Sequence, residues 1–119
     1  MTLLVDAYRQ NAIGEMEFLD PRDLSEELAG LEASRATFYG GRAARSLNLR
    51  LLPLLAERDL HVEGHDLTTL KDEANLVLAN IGMFKEQACA GVDSLRSHVQ
   101  NILTAITRAE HEGGGVVIW

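Results

Sequence analysis

Apolar residues recur at helical spacing along most of the chain. Residues 3–19 place Leu4, Tyr8, Ala12, Ile13, Met16 and Leu19 on one helical face. Gly14 weakens that helix by about 1 kcal/mol relative to alanine. The run Asp20-Pro21-Arg22-Asp23 carries the chemistry of a helix start: an oxygen for the orphan N–H groups, Pro at the first position, and acids near the positive end of the dipole. The helix it opens shows Leu24, Leu28, Leu31, Arg35 and Phe38, and Gly40-Gly41 stops it.

Over residues 42–59 the set Ala44, Leu47, Leu51, Leu54 and Leu55 fits a helix, with a kink or a new start at Pro53. Leu47, Leu49 and Leu51 also alternate, which keeps a short strand open. Residues 60–66 read as a connector. Asp66 or Thr69 then caps the longest helix, whose seam is Leu67, Leu70, Ala74, Val77, Ile81, Phe84 and Ala88. A second stripe of Leu76, Ala79, Met83 and Ala90 lies beside it, so this helix is central or faces another chain. Gly91 breaks it, and Asp93 caps a last helix carrying Val92, Leu95, Val99, Ile102, Ile106 and Ala109.

Three glycines, Gly113 to Gly115, end that helix, and Val116-Val117-Ile118-Trp119 follows as an extended segment that wants burial on both faces. It either folds back onto its own domain or docks on a partner, by strand addition or dimer exchange. The pattern predicts an all-α fold: an antiparallel bundle of four to five helices over residues 1–112, with a Gly-rich hinge and apolar C-terminal tail over 113–119.

Length and composition narrow the class. At 119 residues the chain forms one domain, and 46% apolar residues suffice for a core. One cysteine excludes an internal disulfide, and no apolar run approaches a membrane span. No cationic leader precedes an apolar block at the start, so the expected location is cytoplasmic.

The net charge of −7 is uneven: −6 over residues 1–32, +4 over 33–56 and −5 over 57–119. An acidic whole argues against general nucleic-acid binding and against anionic membranes. The basic middle is either a solvated face or a local anion or RNA site built from Arg42, Arg45 and Arg50 after Tyr39-Gly40-Gly41.

The metal-like constellation is His61, Glu63 and His65. On a strand these three alternate residues share a face, giving two imidazoles and a carboxylate together. Its plain reading is a polar loop. Cys89 and His98 could meet across a tight turn at Gly91, although an Ala-Cys-Ala run reads more simply as a small buried residue. No Glu is followed three residues on by His, which excludes a di-iron bundle. Phosphate-loop, nucleophile-elbow and Cys-x-x-Cys patterns are also missing, and no cofactor is expected.

These readings favour a non-catalytic protein-interaction module. It would act as a homo-oligomer or as a small acidic regulatory or immunity-type subunit on a larger protein, with no small-molecule substrate. The residues singled out for contact are Leu76, Met83, Val116, Val117, Ile118 and Trp119. A metal-binding protein or enzyme using His61, Glu63 and His65 is the alternative, and anion or RNA binding through Arg42, Arg45 and Arg50 the second.

Overall fold

The N-terminal apolar pattern forms strand, not helix. A computed structural model describes residues 2–19, 27–87 and 91–119. Strand β1, Thr2–Gln10, buries Leu3, Val5 and Ala7 on one face and carries Leu4, Asp6 and Tyr8 on the other. A helix through Leu4 and Tyr8 would have stranded Leu3, Val5 and Ala7 on its polar side. The two-residue period of a strand accommodates both sets. β1 turns at Asn11, whose Oδ1 accepts the N–H groups of Ile13 (3.1 Å) and Glu15 (3.0 Å), and returns as β2, Met16–Phe18.

From Leu28 onward the helix read from Leu24 to Phe38 is likewise replaced by β3, Leu28–Leu31, and a π-helical turn at Arg35–Tyr39. The connector at 60–66 holds β4, Leu60–Glu63. The C-terminal segment is β5, Gly115–Ile118. The chain is therefore mixed α/β, built on a five-stranded antiparallel sheet, and the all-α helical bundle is overturned. Along the sheet the order is β2-β1-β5-β4, and β3 pairs with the N-terminal half of β1 beside β2.

The helical readings hold better toward the C-terminus. Short α1, Arg42–Ser46, is followed by a 3₁₀ turn, Leu52–Ala56, that starts anew around Pro53. α2, His65–Ala79, buries Leu67, Leu70, Ala74 and Val77, then gives way to a 3₁₀ turn at Ile81–Gln87. α3, Val92–Glu112, buries Leu95, Val99, Ile102, Ile106 and Ala109. α3 lies across β1, β3 and β5, and α2 packs beside it over β4. Between them and the sheet sit Leu3, Val5, Leu60, Val62, Val116 and Ile118, the centre of the core. The capping run Asp20 to Asp23, Leu24, Ala88, Cys89 and Ala90 lie outside the described residues. No described helix is long and apolar enough to cross a membrane.

Both tyrosines of the chain are buried donors. Tyr39 Oη donates to the Ala29 carbonyl at 2.6 Å, and Tyr8 lies in the sheet. Burial raises both phenols above the ordinary value of 10.0, with the Glu63 carboxylate adding to the rise at Tyr8. A folded value above the unfolded one contributes stability below pH 10 that is lost as pH rises beyond it. Ultraviolet titration is expected to show no phenolate while the chain is folded, then a step coincident with the loss of circular dichroism. A gradual two-site titration of the folded chain would contradict this packing.

Candidate functional site

β5 is the hinge of the sheet's geometry, and each glycine before it has its own task. Gly113 takes φ 71 and closes α3, donating to Glu110, while the Gly114 N–H reaches the Ala109 carbonyl at 2.9 Å. This left-handed closure satisfies the helix's last carbonyls. Gly114 lies so close to β1 that a Cβ there would sit 1.8 Å from the Tyr8 carbonyl oxygen. At Gly115 a Cβ would meet the Val62 carbonyl oxygen at 2.4 Å and Tyr8 Oη at 2.5 Å.

Registered partners share a face of a sheet. Phe18, Tyr8, Gly115 and Glu63 thus form one rung across β2, β1, β5 and β4, and Asp6, Val117 and His61 form the next. Trp119 continues that face, paired to Leu4 through backbone hydrogen bonds of 2.8 and 2.9 Å. This is the face opposite α2 and α3. Because Gly115 has no side chain, the Tyr8 ring crosses β5 and its hydroxyl reaches β4.

There Tyr8 Oη lies 2.5 Å from His61 Nε2 and donates to Glu63 Oε2. One hydroxyl proton cannot serve both neighbours, so His61 donates from Nε2 to Tyr8. The result is a polarised chain from imidazole through phenol to carboxylate. His61 and Glu63 remain about half exposed.

Beside this chain, Trp119 stacks on Phe18 with ring centroids 5.4 Å apart, and Phe18 meets Tyr8 edge-on at 6.3 Å. The indole Nε1–H donates to Asp6 Oδ2 at 2.8 Å. Asp6 also hydrogen-bonds the carboxyl of Glu27, which burial and Asp6 together hold above the usual carboxylate range. Trp119 is 46% exposed and Phe18 43%, on a face where a sheet would otherwise present small polar residues.

The contact residues read from the sequence are divided by this arrangement. Val116 and Ile118 are buried in the core, Val117 is covered within the sheet, and only Trp119 faces out. Leu76 and Met83 are exposed, but they belong to α2 and the turn after it, across the sheet from Trp119.

His61 and Glu63 share a face as strand alternation requires. Gly64, at φ 60, then turns the chain, and His65 becomes the first residue of α2. Among the described residues no group of three His, Cys, Asp or Glu side chains is disposed to hold a metal. Arg42, Arg45 and Arg50 are exposed, and Arg45 Nε donates to the Gly40 carbonyl at 2.8 Å.

Two residues with structural duties were not singled out as sites. Glu73 is 7% exposed, and its carboxylate accepts the backbone N–H groups of Arg50 (2.9 Å), Leu51 (3.0 Å) and Leu52 (3.0 Å). Arg35 clamps the end of the 3₁₀ turn, donating to the carbonyls of Leu55 (3.2 Å) and Arg58 (3.0 Å) and to Asp59 at 2.5 Å. Glu73 was legible as an acid on the same helical face as Leu70, Ala74 and Val77.

Comparisons with known protein families, with curated proteins and with solved structures return no match.

Proposed function

We propose that this chain is a non-catalytic interaction module that binds another protein through the sheet face opposite α2 and α3. The observation that carries this reading is the Phe18–Trp119 stack, half exposed on the sheet, with Asp6 at the indole edge and Tyr8 against Phe18, and with His61 and Glu63 beyond Tyr8. A tryptophan and a phenylalanine stacked and half exposed, with polar groups beside them, have the composition of an interface hot spot. The titratable groups of this face already serve one another, Tyr8 with His61 and Glu63, and Asp6 with Trp119 and Glu27.

A different chain is a better partner than a second copy. A two-fold contact through this face would bring Asp6 and Glu63 against their own equivalents, and the whole chain carries −7. We read the module as a small acidic subunit of a regulatory kind, working in the cytoplasm, where a chain with a single cysteine is at home.

Site-specific photocrosslinking in cells that express the chain tests this. A benzophenone side chain in place of Phe18 is expected to give one dominant adduct with another protein, and the same group in place of Leu76 none. Trp119→Ala should weaken the captured complex by about 2 kcal/mol, roughly 30-fold. Equal capture from the Leu76 side, or no adduct at Phe18, would remove the sheet face as the docking surface.

A further inference from the structure

The chemistry of the partner is written on the same face, and the inference that follows rests on the interaction reading above. The five strands contain one lysine or arginine, Arg9, and it faces the other way, bound to Glu17 at 2.7 Å and near Glu112 of α3 at 3.8 Å, so that His61 is the one basic side chain they turn to the open face. The open face therefore receives Asp6 and Glu63 from its strands and no lysine or arginine. Asp6 holds the edge of the Trp119 ring through Nε1 and touches the carboxyl of Glu27, with Arg108 lining the same small cleft from α3. An indole stacked on Phe18, 46% exposed and with a carboxylate at its edge offers two attractions to one planar cation. The ring face attracts the charge, and the carboxylate accepts its N–H groups.

A guanidinium uses both at once, because it is flat, weakly hydrated and carries its donors in its own plane. A lysine ammonium reaches the carboxylate but forgoes the stacking. Glu63, which accepts from Tyr8 and stays half exposed, keeps lone pairs for a second cation on the far side of Val117. We infer that the sheet face docks on a basic protein surface, and that an arginine of the partner seats on Trp119 with its guanidinium against the indole and toward Asp6. The net charge of −7 would steer such a partner in and make the encounter salt-dependent.

Trp119 is the chain's one tryptophan, so its fluorescence reports on this seat alone. The probe is the blocked peptide acetyl-Ala-Arg-Ala-Arg-Ala-amide, with citrulline and lysine versions as controls. The arginine peptide is expected to change Trp119 emission saturably and to shift the NMR signals of the indole N–H and of the Asp6 and Val117 amides. Citrulline should bind at least about tenfold more weakly, lysine several-fold more weakly, and added salt should weaken the arginine peptide. Asp6→Asn should lose about tenfold. Trp119→Leu, followed by NMR at Asp6 and Val117, gives an independent check.

Equal response to citrulline, indifference to both substitutions, or shifts confined to other acidic regions would overturn the inference. A Phe18 crosslink to an acidic protein or to a second copy would also overturn it, while leaving the interaction role standing. Failure of the crosslink itself removes both.

Discussion

Gly114→Ala is expected to cost the fold about 3 kcal/mol or more, read as a drop in the urea midpoint. The reason is distance. The added methyl would lie 1.8 Å from the Tyr8 carbonyl oxygen and 2.7 Å from the Arg9 Cα, both backbone atoms of the neighbouring strand. A flexible side chain could swing aside, but a paired strand cannot. To make room β5 must lift from β1, and β5 is the strand that joins β1 to β4. Lifting it exposes Val116 and Ile118, both fully buried. For a domain whose whole stability is about 5–15 kcal/mol, that is a large fraction.

Neighbouring glycines sharpen the expectation. Gly115→Ala should also be severe, because it strikes the Val62 carbonyl and pushes the Tyr8 hydroxyl off its partners. Gly113→Ala should cost about 1 kcal/mol, the ordinary penalty of a left-handed closure. Gly82→Ala, with open space around it, should be close to neutral. A free hinge would tolerate alanine at all three positions from Gly113 to Gly115, so a flat profile there would contradict the pairing of β5 with β1. For the same reason a chain ending at Gly115 is expected not to fold.

The ease of reading each element followed the range of its contacts. α3 was legible because Leu95, Val99, Ile102, Ile106 and Ala109 form a stripe whose spacing is complete within the segment. The tail was legible as extended and buried on both faces, which describes β5. Its partner was not, because Val5 and Ile118 meet across almost the whole chain and nothing local marks a pairing of that range.

β1 is ambiguous in the sequence because Leu4 and Tyr8 satisfy a helical period while Leu3, Val5 and Ala7 satisfy a strand. Choosing requires knowing that Asp6 and Tyr8 find partners on the second face. β4 is hard to read locally because Leu60-His61-Val62-Glu63 is only one alternation repeated, and its polar half has the composition of a loop. The candidate face then remained hidden, since its members come from four strands. Trp119 and the His61–Glu63 pair were each singled out, and only the register brought them onto one surface with Phe18, Tyr8 and Asp6.

Glu73→Ala is expected to be nearly as damaging, at about 3–5 kcal/mol, although Glu73 is a charged residue on a helix. Its carboxylate is the acceptor for three consecutive backbone N–H groups, those of Arg50, Leu51 and Leu52. Pro53 follows at the start of the 3₁₀ turn, and the N–H groups leading into that turn have no earlier carbonyl to bind. Glu73 thus closes the end of a neighbouring element from across the core, between Leu70 and Val77. Alanine leaves those donors, the buried Leu52 N–H among them, without the carboxylate and opens a void beside Leu52, which is fully buried. Glu73→Gln keeps the volume but turns one oxygen into an N–H₂ group that faces donors, so it should recover the packing loss and little of the hydrogen bonding. Glu73→Leu separates the two contributions further, filling the void with no acceptor at all. The expected order of urea midpoints is wild type, then Gln, then Leu and Ala. Amide exchange at Leu51 and Leu52 should speed up in all three variants before exchange in α3 does. If Glu73→Leu matched wild type in both measurements, the carboxylate would not be what holds the turn at Leu52–Ala56.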